Sequence, residues 1–188
     1  TGSLETRSHA GLHRARMWDA IIGEEYEGCP RDFKMLYVAA ANPLNQSPNL
    51  NKGVRALKNL EFIVVHEQFM TATARFADIL LPVNTIWERN DITKPWASQG
   101  SNFIYVNKLC DSLYESKTDF EICIELARRL GLQNYNDKTE DEWLREIWKS
   151  LYGKPDYETF KKRGVSRIEF PEPYVSFRDQ IEDPKQHP

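Results

Sequence analysis

The sequence predicts an α/β fold, three-layered around a mostly parallel sheet and followed by C-terminal helices, and three observations carry this. Short apolar runs recur at 35–40 (MLYVAA), 61–65 (EFIVV) and 78–82 (DILLP), as expected of strands buried on both faces. Between the first two, Leu50, Val54, Leu57 and Leu60 recur at helical spacing. A strand–helix–strand unit of this length crosses over right-handedly and makes its strands parallel. Each run also closes in residues that stop a ladder: Ala41-Asn42-Pro43, His66-Glu67-Gln68 and Pro82.

Taken in order, residues 1–33 read as a lead-in segment, within which Arg16–Ile22 (RMWDAII) makes a short amphipathic helix ending at Gly23. Residues 34–164 read as a single α/β domain with Rossmann-like strand–helix–strand units. After the first strand, Ser47-Pro48 supplies an N-cap and a proline at the first helical position. Thr71 caps one or two helical turns reaching Ala77. Val83 to Asn102 reads as a long irregular section, of the kind that is functional or packed against another part. Phe103–Val106 (FIYV) is a fourth strand.

Three helices then close the domain. Thr118 and Glu121 form a capping box, and Arg128-Arg129-Leu130-Gly131 supplies terminal cations and a glycine stop. Thr139 and Glu142 form a second capping box, opening a helix with Trp143, Ile147 and Leu151 on one face. Asp156 caps a third helix that ends near Gly164. Residues 165–188 read as an extended, proline-punctuated linker towards a missing C-terminal domain. Thr1 is not a methionine and the tail EDPKQHP is polar, so the chain is expected to be a piece of a longer polypeptide.

Composition excludes several classes. A net charge of −3, with cations and anions intermixed, leaves no basic footprint for nucleic acid. No apolar run approaches the roughly 18 residues of a membrane span, so direct membrane insertion is not expected. The three cysteines, Cys29, Cys110 and Cys123, lie far apart with no C-x-x-C, so neither a zinc ribbon nor a cysteine-ligated cluster is written here.

The candidate site is the rim at the carboxyl ends of the first two strands, where open α/β sheets bind ligands. Its residues are Asn42, Pro43, Asn45 and Gln46 after the first strand, then His66, Glu67, Phe69, Thr71 and Thr73 after the second, with Asp78 opening the third. They offer amides, hydroxyls, a carboxylate and helix N-termini, a donor set that suits a nucleotide. No G-x-G-x-x-G and no P-loop occurs, so the usual dinucleotide and triphosphate sites are not encoded. Plainer roles stand beside these. Asn42 and Asn45 are turn formers, His66 suits a satisfied polar residue, Asp78 suits a backbone acceptor, and Glu88-Arg89 suits a surface pair. No Ser/His/Asp set, acid/base carboxylate pair or metal-ligand cluster assembles, so no catalytic or metal-binding residue is expected within this chain.

Several blocks in fixed order are nevertheless specific: MWDAI, NPLNQ after a strand, FMTATARFADILLP, an ER pair, a helix ending ARRLG, EDEWLREIW and YETFKKRGV. From Arg16 to Pro188 the chain resembles catalytic subunits of the dimethyl sulfoxide reductase family, most of all the anaerobic dimethyl sulfoxide reductase A-subunit type. These are bis(molybdopterin guanine dinucleotide) oxidoreductases of molybdenum or tungsten. The resemblance implies an α/β domain, the third of four, that binds one guanine dinucleotide arm of the cofactor. The family's contacting positions fall here on Asn42, with Asn45 and Gln46 near, and on His66, Glu67, Thr71 and Thr73. Many relatives carry Asp where this chain has Glu67, which keeps the carboxylate on a longer arm.

The same resemblance places the iron–sulfur cluster and the metal ligand upstream and the other half of the pterin surface downstream. The fragment alone is therefore expected to be inactive and to hold no cofactor. The whole enzyme is expected to reduce an S- or N-oxide by oxygen-atom transfer, with 85–101 as part of a funnel wall bearing Trp87 and Trp96. Implied partners are the rest of its own catalytic subunit, an iron–sulfur electron-transfer subunit and a membrane anchor, with the parent enzyme exported to the outer face of the cytoplasmic membrane. Two other readings stand: a stand-alone nucleotide-binding regulatory module, and a structural domain making subunit contacts through the helices after Thr118.

Overall fold

A computed structural model describes residues 14–23, 33–94, 102–151, 153–168 and 175–186. The chain divides into two compact units, one of residues 1–89 and 109–137, the other of 90–108 and 138–188. Among the described residues no helix is long and apolar enough to cross a membrane.

The first unit is the expected parallel α/β layer. It contains α1 (Met17–Ile21), β1 (Met35–Val38), α2 (Pro43–Gln46), α3 (Leu50–Asn59), β2 (Phe62–Glu67), a 3-10 turn (Ala74–Phe76), β3 (Ile79–Pro82) and α4 (Asp119–Arg129). The sheet order is β1-β2-β3 with both pairings parallel, Met35 opposite Phe62 and Val64 opposite Ile79. Ile63, Val65, Val38, Ala56, Leu57, Leu44 and Trp18 form the buried core.

The helix after β1 departs from the expected cap. Pro43 opens the four-residue α2, and α3 starts instead at Asn49, whose side chain accepts from Lys52 N at 3.1 Å with the residue in the left-handed region (φ 62°). Asn tolerates that conformation, and Pro48 then lies before the cap. The face of α3 turned inward is Gly53, Ala56 and Leu57, whereas Leu50 is exposed. Gly53 has a steric reason: a Cβ there would lie 2.8 Å from Leu44 Cδ1 and 2.9 Å from Trp18 Cε2. Close approach of α1 and α2 to α3 requires the missing side chain.

The second unit holds an antiparallel sheet that sequence reading did not separate. It comprises β4 (Asp91–Thr93), β5 (Asn102–Val106), α5 (Glu140–Leu151), α6 (Tyr157–Arg163), β6 (Val165–Arg167) and α7 (Arg178–Glu182). The order is β4-β5-β6, with Ile92 opposite Tyr105 and Phe103 opposite Ser166. Two expected irregular stretches thus contain strands, at 91–93 and 165–167. The core is aromatic: Trp148 stacks on Phe160 at 3.8 Å and meets Phe103 edge-on at 5.5 Å. The buried side chains of α5 are Leu144 and Trp148, so the inward face is rotated by one residue from the expected Trp143, Ile147 and Leu151.

The expected starts of the three closing helices, α4, α5 and α6, are capped as read. Thr118 and Glu121 exchange both bonds of a capping box, Thr139 and Glu142 do the same, and Asp156 accepts from Thr159 N at 3.0 Å. Gly131 and Gly164 adopt positive φ at the helix ends (72° and 74°), which glycine takes without a Cβ penalty.

Candidate functional site

Both strand-end turns of the first unit face one cleft of about 310 Å³. Its wall is formed by Ala40, Ala41, Asn42 and Gln46 after β1, His66, Glu67 and Gln68 at the end of β2, Val83 and Arg89 beyond β3, and Asp119 at the start of α4. Convergent polar groups at the carboxyl ends of parallel strands are the default ligand site of such a sheet. A second cleft of about 300 Å³, against Leu81, Pro82, Ile122 and Leu126, is apolar and contains none of the expected residues.

Of the residues singled out from sequence, Asn42, Gln46, His66 and Glu67 reach the cleft wall. Asn42 ties the two turns together: its Oδ1 accepts from Thr73 Oγ1 at 2.6 Å and from Thr73 N at 3.3 Å. Thr73, fully buried, accepts in turn from Leu44 N at 3.0 Å. Gln46 Oε1 accepts from Asn42 N and from Arg14, both at 3.1 Å. Glu67 braces its own loop, accepting from Gln68 N at 2.9 Å and Thr71 Oγ1 at 3.1 Å. Thr71 therefore acts on the loop rather than at the wall. Asp78 serves the sheet, its Oδ2 accepting from Ile63 N at 2.7 Å. Pro43 is buried, Asn45 is exposed, and Phe69 is exposed at 71%; none of these three lines the cleft.

His66 is buried, with both ring nitrogens engaged. Tyr37 Oη lies 2.6 Å from Nε2, and Asp119 Oδ1 lies 2.6 Å from Nδ1. Desolvation, then the neighbouring Cys123 and Asp119, push the Tyr37 phenol above its ordinary pKa, so the hydroxyl keeps its proton. After these bonds, Asn42 Nδ2, Gln46 Nε2 and Asp119 Oδ2 have no hydrogen-bond partner among the described residues. The wall thus offers two amide donors and a carboxylate oxygen.

Sequence reasoning missed Tyr37, Arg89 and Asp119. Asp119 stood in plain view inside the Thr118–Glu121 capping box, yet nothing local ties it to a histidine 53 residues earlier. The expected Glu88–Arg89 surface pair fails at Glu88, which is buried, while Arg89 reaches the cleft wall. Arg89 donates to Asn84 O at 3.2 Å, and the Thr85 and Leu113 backbone amides hold the Glu88 carboxyl below the usual carboxylate range. The signal was legible, since Thr85 and Glu88 have capping-box spacing. Trp87 is exposed, whereas Trp96 lies outside the described residues, as do Cys29 and most of the lead-in segment.

Comparison with known proteins gives this cleft its context. The molybdopterin oxidoreductase family profile matches residues 21–129, the stretch that contains every wall residue. The chain belongs to the molybdopterin oxidoreductase family. It is 37% identical over 162 residues to trimethylamine-N-oxide reductase of Vibrio cholerae serotype O1, covering 81% of this chain and 20% of that protein. It is 32% identical over 171 residues to the dimethyl sulfoxide/trimethylamine N-oxide reductase of Cereibacter sphaeroides, covering 84% of this chain and 21% of the relative. The chain therefore spans about a fifth of the length of these curated relatives. Acetylene hydratase from Pelobacter acetylenicus shares the fold, with a TM-score of 0.61 at 24% identity over 86% of this chain and 21% of that one.

Proposed function

We propose that this chain is the third α/β domain of a catalytic subunit of the anaerobic dimethyl sulfoxide reductase type, and that its strand-end cleft holds one guanine dinucleotide arm of a bis(molybdopterin guanine dinucleotide) cofactor. The observation that carries this is the set of groups left over at the wall: Asn42 Nδ2, Gln46 Nε2 and Asp119 Oδ2, unpartnered among the described residues and brought together from two segments, the turn after β1 and the start of α4. Amide donors suit phosphate, carbonyl and ring-nitrogen acceptors, and a carboxylate oxygen suits ribose hydroxyls or an amino edge. The cleft sits at the small end of the range for whole ligands, about 300–1,000 Å³, which fits one arm of a larger group.

When bound, the cofactor would supply the redox chemistry at its metal, and the whole enzyme would reduce an S- or N-oxide by oxygen-atom transfer. The residues of this chain bind and orient. The Asn42–Thr73 tie fixes the distance between the two turns, and Glu67, held by Gln68 and Thr71, fixes the shape of the second. An upstream iron–sulfur cluster, an iron–sulfur partner subunit and a membrane anchor on the outer face of the cytoplasmic membrane belong to the same reading.

The test is cofactor content of the full-length oxidoreductase. Gln46→Ala and Asn42→Ala are expected to lower both molybdenum and acid-released guanosine monophosphate per polypeptide by about tenfold, the scale of one or two lost polar contacts. Undiminished content in both variants would remove the assignment.

A further inference from the structure

The family resemblance does not account for the hydrogen-bonded chain Tyr37–His66–Asp119, buried only at its central histidine, which joins β1, β2 and α4 across 29 and 53 residues of sequence. A carboxylate can only accept, so His66 Nδ1 must donate to Asp119 Oδ1. In the neutral ring Nε2 is then an acceptor, and the Tyr37 hydroxyl, which keeps its proton, donates to it. His66 is 2% exposed and both of its ring nitrogens are engaged. Asp119 differs: its side chain is 41% exposed, it lines the cleft, and its second oxygen has no partner among the described residues. Thr118 fixes the backbone of Asp119 through the capping box, and His66 fixes the side chain.

We propose that His66 is a positioning residue, oriented by Tyr37, which pins one oxygen of Asp119 so that the other is presented to a hydrogen-bond donor of the ligand in the cleft. This rests on the nucleotide reading above; what it adds is the role of His66 and Tyr37 behind Asp119. Glu67 also lines the cleft, and each of its oxygens accepts one bond from its own loop. A second-row histidine acting through a carboxylate is the arrangement by which a flexible acceptor is held in one rotamer before the ligand arrives.

The experiment is a mutant cycle in the full-length oxidoreductase, read as guanosine monophosphate released per polypeptide, with the thermal midpoint recorded alongside. Asp119→Asn, which keeps shape and removes the charge, is expected to lower the content about tenfold, the loss typical of one bond to a charged group. His66→Leu should do nearly the same, and Tyr37→Phe should give a smaller drop of about threefold. His66→Gln, whose amide can still donate to Asp119, should recover part of the loss seen in His66→Leu. The double variant His66→Leu/Asp119→Asn should be no worse than Asp119→Asn alone, because the histidine acts only through the aspartate.

Additive losses in the double variant, or equal content in His66→Leu and the parent, would overturn the inference. Gln46→Ala separates the two failures. If it depletes the nucleotide while the His66 and Tyr37 variants do not, only the positioning role falls. If none of the variants depletes it, the cleft reading falls as well.

Discussion

In the first unit, hydrogen-bonding side chains gather at the ends of parallel strands, and three of them keep a group at a cleft with no partner among the described residues. In the second, they gather over an aromatic core and close on one another. Asp141 accepts from the Tyr157 hydroxyl at 2.9 Å and from Lys161 Nζ at 2.5 Å, with Arg145 3.6 Å away, and Lys161 in turn lies over the Tyr105 and Tyr157 rings. Lys161 holds the Asp141 carboxyl below its ordinary range, and burial, then the neighbouring Tyr105 and Asp141, push the Tyr157 phenol far up. Trp148 donates its indole N–H to Pro155 O at 2.8 Å. The difference teaches where function can reside: side chains bonded to one another over a core rigidify it, while a rim with groups left over is ready for a ligand.

If that contrast is right, the largest stability effect lies away from the cleft. Trp148→Ala removes both the stacked Phe160 contact and the Pro155 bond, and about 3–5 kcal/mol of stability should be lost in denaturant titration. Gly53→Ala comes next. Alanine normally favours a helix by about 1 kcal/mol over glycine, yet here its methyl collides with Leu44 and Trp18, and a net loss of about 1–3 kcal/mol is expected from overpacking. A stabilised Gly53→Ala chain would show that α3 does not press on α1 and α2 as described.

A smaller effect separates rim from core. Ala40 lines the cleft with φ at 52°, a left-handed conformation that costs a residue with a Cβ about 1 kcal/mol. Ala40→Gly should therefore raise the unfolding midpoint slightly, where glycine elsewhere lowers it. The pH dependence is smaller again. Lys52, then Arg16, hold the Asp19 carboxyl below its ordinary value of 3.8. A depressed carboxylate contributes stability that is complete above the unfolded pKa and fades as pH falls through the folded one. Lys52→Met should flatten the loss of stability below about pH 4, the ordinary aspartate range.

Much of the fold was legible because its physics is local. The apolar runs, the capping boxes at Thr118 and Thr139 and the glycine stops depend on residues close in sequence and are found where they were read. Helical spacing gave α3 but not its inward face, since Leu50 is exposed, and β1 and β3 are largely exposed rather than buried on both faces. The Asn49 cap was hidden by Ser47-Pro48, an equally good local signal that lost to the left-handed turn before α3. In the second unit, β4 and β6 are three residues each, and β6 pairs with a strand distant in sequence, so their periodicity was too short to register. The buried face of α5 was misjudged by one residue because Trp143 and Trp148 are both aromatic and only packing against Phe160 distinguishes them. At the rim, residue types were readable but partnerships were not. The His66–Asp119 bond and the Asn42–Thr73 tie are made by folding, and they turn an apparent ligand such as Thr73 into a brace and make Asp119, passed over inside the Thr118–Glu121 capping box, a wall residue.

The central claim is that the cleft at 40–46, 66–68 and 119 holds a guanine dinucleotide arm. Amide hydrogen exchange of the full-length oxidoreductase, compared with and without its cofactor, tests it most directly. Protection confined within this chain to peptides covering those three segments, with β4, β5 and β6 unchanged, is the predicted result. Exchange at the three segments that is identical in the loaded and cofactor-free enzyme would contradict the account.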